Sequence, residues 1–347
     1  MYFKSWPSFT NARSVETSNL DGLYSDLSTL SLHGRTSDGQ TQSGKKTDSS
    51  GERLERASTR SRNSQSPSTN HTQISIRTDI FKAKYQELKL LDEGGYGKVF
   101  SGYREDDKLK VAIKHVSQET VERTPQVLSE KMSAVPVEVA LLIKVGAGPE
   151  SKSSSVTPAL LDWFDLEDEL ILVFERPACS MNLVDYISSR QDKLAEEEVK
   201  TILAQLLDAA IEMHSRAVFH RDIKLENIII ERKAGVPRVR FLDFGCGTTY
   251  TPGQKFTGGI GTKEYTPPEW HERHCYMAVP TTVWQLGVVM YALLHRELPF
   301  TDASRIIRHN PLIRPELSHE GKHFLRNCLI KSPEDRPTLE KLRIHPG

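Results

Sequence analysis

The stretch from residue 218 to residue 245 constrains this chain more than any other. It carries His220-Arg221-Asp222, then Lys224 and Asn227, an apolar run, a polar turn over residues 231–237, a second apolar run and Asp243-Phe244-Gly245. A strand, turn and strand over this span would return Asn227 and Asp243 to one mouth, beside Asp222. Two carboxylates and a carboxamide so placed suit phosphoryl transfer. Asp222 would accept the hydrogen bond of an attacking hydroxyl, and Asn227 and Asp243 would hold divalent metal ions against the developing charge. Either motif alone is equally compatible with a surface ion pair or an ordinary turn, so the specificity lies in their joint occurrence and order.

Upstream, residues 90–100 place Gly94 and Gly97 between two apolar runs, as a phosphate-covering loop requires, since backbone amides close on phosphate oxygens only where side chains are missing. Leu91 and Val99 flank this turn. Val111-Ala112-Ile113-Lys114 follows, and strand alternation puts Ala112 and Lys114 on one face, the ammonium toward phosphates and the small residue toward a base ring. Lys114 needs a carboxylate partner. Glu138, in an apolar run opened by Pro136, is preferred to its rival Glu130, because a carboxylate among apolar neighbours is costly unless paired.

With these motifs in place the chain resembles a eukaryotic protein kinase and, within that family, is similar to the Pim serine/threonine kinases over about residues 85–345. Residues 111–116, 135–142, 160–164, 175–177, 220–227, 243–245 and 267–270 carry the likeness. The resemblance implies an α+β bilobal fold, with a β-rich N-lobe around one key helix over residues 85–176 and a mainly helical C-lobe over residues 177–345. It implies ATP and Mg²⁺, with Mn²⁺ as an alternative, and Ser/Thr rather than Tyr specificity from Lys224 and Thr262. Glu175-Arg176-Pro177 falls at the hinge, where Glu175 would meet adenine and Pro177 lacks the usual donor. Leu91, Val99 and Ala112 above and Ile229 below would enclose the base. Leu142, Leu160, His220 and Phe244 would stack behind it, and Glu269 would pair with Arg336.

Several positions depart from that family. Asp92 replaces the first loop glycine, which puts a carboxylate near the nucleotide and keeps open a pseudokinase scaffold as the alternative function. Phe174 narrows the back of the adenine pocket, Thr282 stands before Val283-Trp284 where most kinases have Asp, and Leu225 and Asn182 replace acids. Glu226 and Asp185 remain, and they would select substrates with arginine upstream of the target.

Lys plus Arg equals Asp plus Glu at 46 each, so no net charge argues for nucleic acid or an acidic membrane. The expected partners are protein substrates, the expected state a monomer, and the expected location cytoplasmic with nuclear as a second site. The four cysteines show no paired spacing and are expected to be reduced. Residues 1–80 read as a disordered tail rich in Ser and Thr, with arginines over residues 53–62 before Ser58 and Ser64, and with neither a signal peptide nor a span of about 20 apolar residues.

Overall fold

The computed structural model describes residues 68–95, 97–128, 131–149, 154–232, 235–259 and 261–346. Glu130, residues 1–67 and the arginine cluster at residues 53–62 lie outside these. The N-lobe comprises α1 (Ser68–Lys84), β1 (Tyr85–Gly94), β2 (Gly97–Arg104), β3 (Lys110–Ser117), β4 (Arg123–Leu128), β5 (Lys131–Pro136), α2 (Val137–Lys144), β6 (Leu160–Asp165) and β7 (Glu169–Glu175). Five of these strands form one antiparallel sheet in the order β1-β2-β3-β7-β6, and β4 and β5 make a separate hairpin before α2.

The alternation expected of β3 holds. Val111 and Ile113 are fully buried on one sheet face with Ile171, Val173 and Phe164, while Ala112 and Lys114 turn to the other. What covers the first face corrects the reading of residues 1–80 as uniformly unstructured: α1 lays Phe81 across it, its ring 5.3 Å from that of Phe164, and Tyr85 follows. Burying Phe81 is worth about 1.5–3 kcal/mol, enough to fix the end of a helix with little amphipathic pattern of its own. α1 lies before residue 85, and α2 is the key helix expected among the strands that follow. Lys84 Nζ, 2.6 Å from Asp162 Oδ2, ties α1 to β6.

The C-lobe continues with β8 (Ser180–Asn182), α3 (Leu183–Ser188), α4 (Glu196–Ser215), β9 (Val218–Phe219), β10 (Ile228–Glu231), β11 (Arg238–Phe241), β12 (Thr248–Thr249), β13 (Lys255–Phe256), α5 (Pro268–Arg273), β14 (Tyr276–Met277), α6 (Ala278–His295), α7 (Ala303–Arg308), α8 (His319–Cys328) and α9 (Leu339–Arg343). Three acids open α4, where the helix dipole favours them, and its face from Val199 to Met213 is buried. α6 is buried almost all round, as its near-continuous apolar sequence requires, and forms the lobe's axis. β10 and β11 form the expected hairpin, Ile228 opposite Phe241, which returns the chain from Asn227 to Leu242.

Candidate active site

Lys114 joins the two lobes. Its Nζ lies 2.8 Å from Glu138 Oε1, 2.9 Å from Oε2 and 2.7 Å from Asp243 Oδ1. Glu138 is in the first turn of α2, so the preferred carboxylate is the one in place. Burial disfavours the Lys114 cation, but Asp243 and Glu138 more than offset it and the ammonium stays charged. Burial likewise raises Asp243, and the adjacent Lys114 overrides it, holding that carboxyl below its ordinary value. For Glu138 burial wins over Lys114 and the net direction is upward.

The catalytic loop is held by its neighbours. Asp222 Oδ1 accepts from Thr262 N at 2.7 Å, Oδ2 accepts from Asn227 Nδ2 at 3.1 Å and lies 3.2 Å from Lys224 Nζ, and Lys224 donates to Thr262 Oγ1 at 2.7 Å. Thr262 thus orients the catalytic pair. Gly261 must be glycine here, since a Cβ would sit 2.3 Å from Asp222 Oδ1. Burial keeps His220 neutral. Its Nε2–H donates to Leu242 O at 2.8 Å and its Nδ1 accepts from Asp222 N at 3.3 Å, which fixes the loop to the strand before Asp243. Arg221 and Asp243 both hold positive φ, 67° and 58°; neither is glycine, and such strain concentrates at sites that over-determine their backbone.

The donor set fits a hard divalent cation. Asn227 spends its nitrogen on Asp222, which leaves the amide oxygen, and Asp243 spends Oδ1 on Lys114 and Gly245 N, which leaves Oδ2. Among the described residues no three His, Cys, Asp or Glu side chains converge as a closed metal cage. Two protein oxygens completed by phosphate and water is the expected arrangement for Mg²⁺, and the ion would neutralise charge on the phosphates.

Val99, Ala112 and Ile229 are half-buried and Leu91 is exposed, with Ala112 paired to Phe174 across the sheet. Gly97 holds φ of +119° and a Cβ there would strike His115 O, so this glycine is required by packing. Gly94 has open space around it. Asp92 turns Oδ1 to its neighbour, accepting from Glu93 N at 2.9 Å. Leu142, Leu160, His220 and Phe244 are all buried, with the His220 and Phe244 rings 4.8 Å apart. At the hinge Glu175 N and Arg176 N are taken by Ala159 O and Lys110 O.

Two residues at this site escaped the sequence. Arg240, fully buried in β11, bridges Glu175 of the hinge and Glu231 of β10. Gln285 Nε2 holds Arg221 O at 2.9 Å, one turn after Thr282, whose hydroxyl instead meets His214 Nε2 at 2.9 Å. Arg240 looks like an ordinary edge charge in an alternating strand, and Gln285 is one polar residue in an apolar helix. Asn182, read as a lost acid, is the N-cap of α3, accepting from Asp185 N at 2.8 Å. Leu225 is buried, Asp185 is exposed, and Glu226 Oε2 is buried without a hydrogen-bond partner. Glu269 and Arg336 form the expected bidentate pair, at 2.8 and 2.6 Å.

Residues 85–346 match the family described as the protein kinase domain. The chain belongs to the protein kinases, and it is a serine/threonine protein kinase that uses ATP with a divalent metal. It is 36% identical to serine/threonine-protein kinase pim-2 of Danio rerio over 77% of this chain and 85% of that protein. It is 31% identical to serine/threonine-protein kinase prk-2 of Caenorhabditis elegans over 77% of this chain, spanning 58% of that protein. Likeness to a PAS domain-containing serine/threonine-protein kinase of Mus musculus is 30% over 75% of this chain and 18% of the relative's length.

Proposed function

We propose that this chain is a Pim-like kinase that transfers the γ-phosphate of ATP, with Mg²⁺ or Mn²⁺, to Ser or Thr residues preceded by basic residues. The carrying observation is the assembled centre: Lys114 engages both Glu138 and Asp243, while Thr262 aims Asp222. Pro177 at the hinge and Thr282 in α6 support the narrower family reading. The basic preference is supported by Glu226, whose orphaned, buried oxygen a guanidinium would satisfy, and by α3, which packs on the turn carrying it and presents Asp185. The proposed partners are protein substrates, met as a monomer in the cytoplasm or the nucleus. No helix among the described residues is long and apolar enough to cross a membrane.

Radiolabelled ATP, purified full-length chain and an arginine-containing Ser peptide test this reading. Mg²⁺-dependent incorporation that depends on the arginine and vanishes in Asp222→Asn is the expected result. The scaffold reading rests on Asp92; absence of transfer to any Ser/Thr peptide with either metal would establish it instead.

A further inference from the structure

Leu225 does more than remove an acid. It forms a wall of a shallow cleft, partly open to solvent, between α3 and the C-terminal end of α6. Val184, Ile187 and Ala292 complete its apolar lining, and Arg296 and Glu297 stand at the rim. We propose that this cleft is a second specificity subsite, which takes one apolar side chain of the substrate peptide on the same side of the phosphoacceptor as the arginine.

The inference rests on the substrate-facing role of Glu226 and Asp185, and three observations carry it. The cleft is continuous with the catalytic loop: Leu225 sits between Lys224, which is bonded to Thr262, and Glu226 with its unpartnered oxygen. On the opposite wall Val184 immediately precedes Asp185. Each wall thus pairs an apolar residue with an acid, the complement of a peptide carrying arginine and a hydrophobe close together. Charge also disfavours a second arginine in the cleft. Arg296 is fixed at the rim, donating to Ile187 O at 3.0 Å and Arg190 O at 3.1 Å, while Glu297 is exposed and its charge is screened by water. A basic residue would meet a fixed like charge and bury its stem against Leu225 and Ala292; an aliphatic one would only lose water.

A positional-scanning Ser peptide library phosphorylated by the full-length chain tests the subsite. One upstream position is expected to favour Leu, Ile or Met over Arg by about 10-fold or more, the discrimination a pocket gives for one or two methylene-sized groups. Leu225→Asp and, independently, Ala292→Asp should reverse that ratio at that position alone, each measured as kcat/KM for a Leu and an Arg peptide with the same enzyme sample. Because the readout is a ratio, a partly unstable variant still reports. Arginine dependence without apolar selection at any position, or an unchanged ratio in both variants, overturns the subsite and leaves the basic preference standing. Absence of any transfer overturns both.

Discussion

At the scale of single residues the centre separates two jobs, and the separation is measurable. In the proposed function Asp222 serves the acceptor side and Lys114 the phosphate side. Asp222→Asn is expected to lower kcat by about 10²–10⁴-fold while nucleotide affinity stays near wild type, because the general base is lost and the clamp is not. Lys114→Met should instead weaken nucleotide binding, since Asp243 then lacks its counter-ion and Glu138 is left buried and unpaired. Steady-state kinetics beside a fluorescent-nucleotide titration distinguishes them; equal loss of affinity in both variants would show that the roles are not separable. Residues of this kind were legible in the sequence because their chemistry is rare at such spacing: a carboxylate in the apolar run of Glu138, or a lysine ending a strand after two glycines. Asn182 was not legible. Its role as a cap depends on where α3 begins, and in an acid-containing loop it reads as a missing charge.

At the scale of elements the gap between pattern and structure is clearest in α1 and in Arg240. α1 has too few apolar residues to announce a helix; among its described side chains Phe81, packed on Phe164, and Lys84, paired with Asp162, tie it to the sheet, and Tyr85 follows at the head of β1. Arg240 ties the hinge to the β10–β11 hairpin from a site only 1% exposed, with Glu231 equally buried. Replacing it with Met should cost about 3–5 kcal/mol, mostly because buried Glu231 and half-buried Glu175 lose the guanidinium that joins them. The check is a denaturant midpoint, and Glu231→Gln added to Arg240→Met should recover part of the loss; a double variant no more stable than the single one would refute that cause. His214 makes a pH-dependent joint between three elements, with Nδ1 2.7 Å from Tyr250 Oη and Nε2 on Thr282 of α6. Burial lowers it to about 4, against about 6.5 in the unfolded chain. Below pH 6.5 the unfolded chain binds a proton that the fold refuses. The stabilisation is therefore full above pH 6.5 and is lost as pH falls toward 4, by about 2 kcal/mol between pH 7 and pH 5. His214→Gln should remove about that much of the pH dependence in urea titrations at the two pH values, and an unaltered slope would assign the acid sensitivity to other groups.

At the scale of the whole molecule the question is what keeps the lobes and the activation segment in working order. In many kinases a phosphate on this segment pairs with the arginine beside the catalytic aspartate. Here Arg221 donates to Cys246 O, within the segment's own start, and the rest is pinned without charge. Thr248 and Thr249 pair with β9, Lys255 and Phe256 pair with β14, and Tyr276 Oη donates to Gly259 O at 3.0 Å. Phe256 stacks on Tyr276 at 5.6 Å and lies 5.6 Å from Phe219, so an aromatic cluster packs this part of the segment against β9 and β14. Residues 248–261 contain no Asp or Glu that could replace a phosphate. The structure supplies the alternative in residues too far apart in sequence, Phe219 and Tyr276, for any periodicity to connect them. Phosphatase-treated protein is therefore expected to keep most of its activity toward a basic peptide. Phe256→Ala should lower that activity, because truncating a packed aromatic frees the segment that positions Thr262 and hence Asp222. Thr257 is exposed beside Phe256 and is the residue where a phosphate could still add control. Should dephosphorylation abolish activity and Thr257→Ala reproduce the loss, the segment is ordered by charge after all, and the aromatic cluster is only its scaffold.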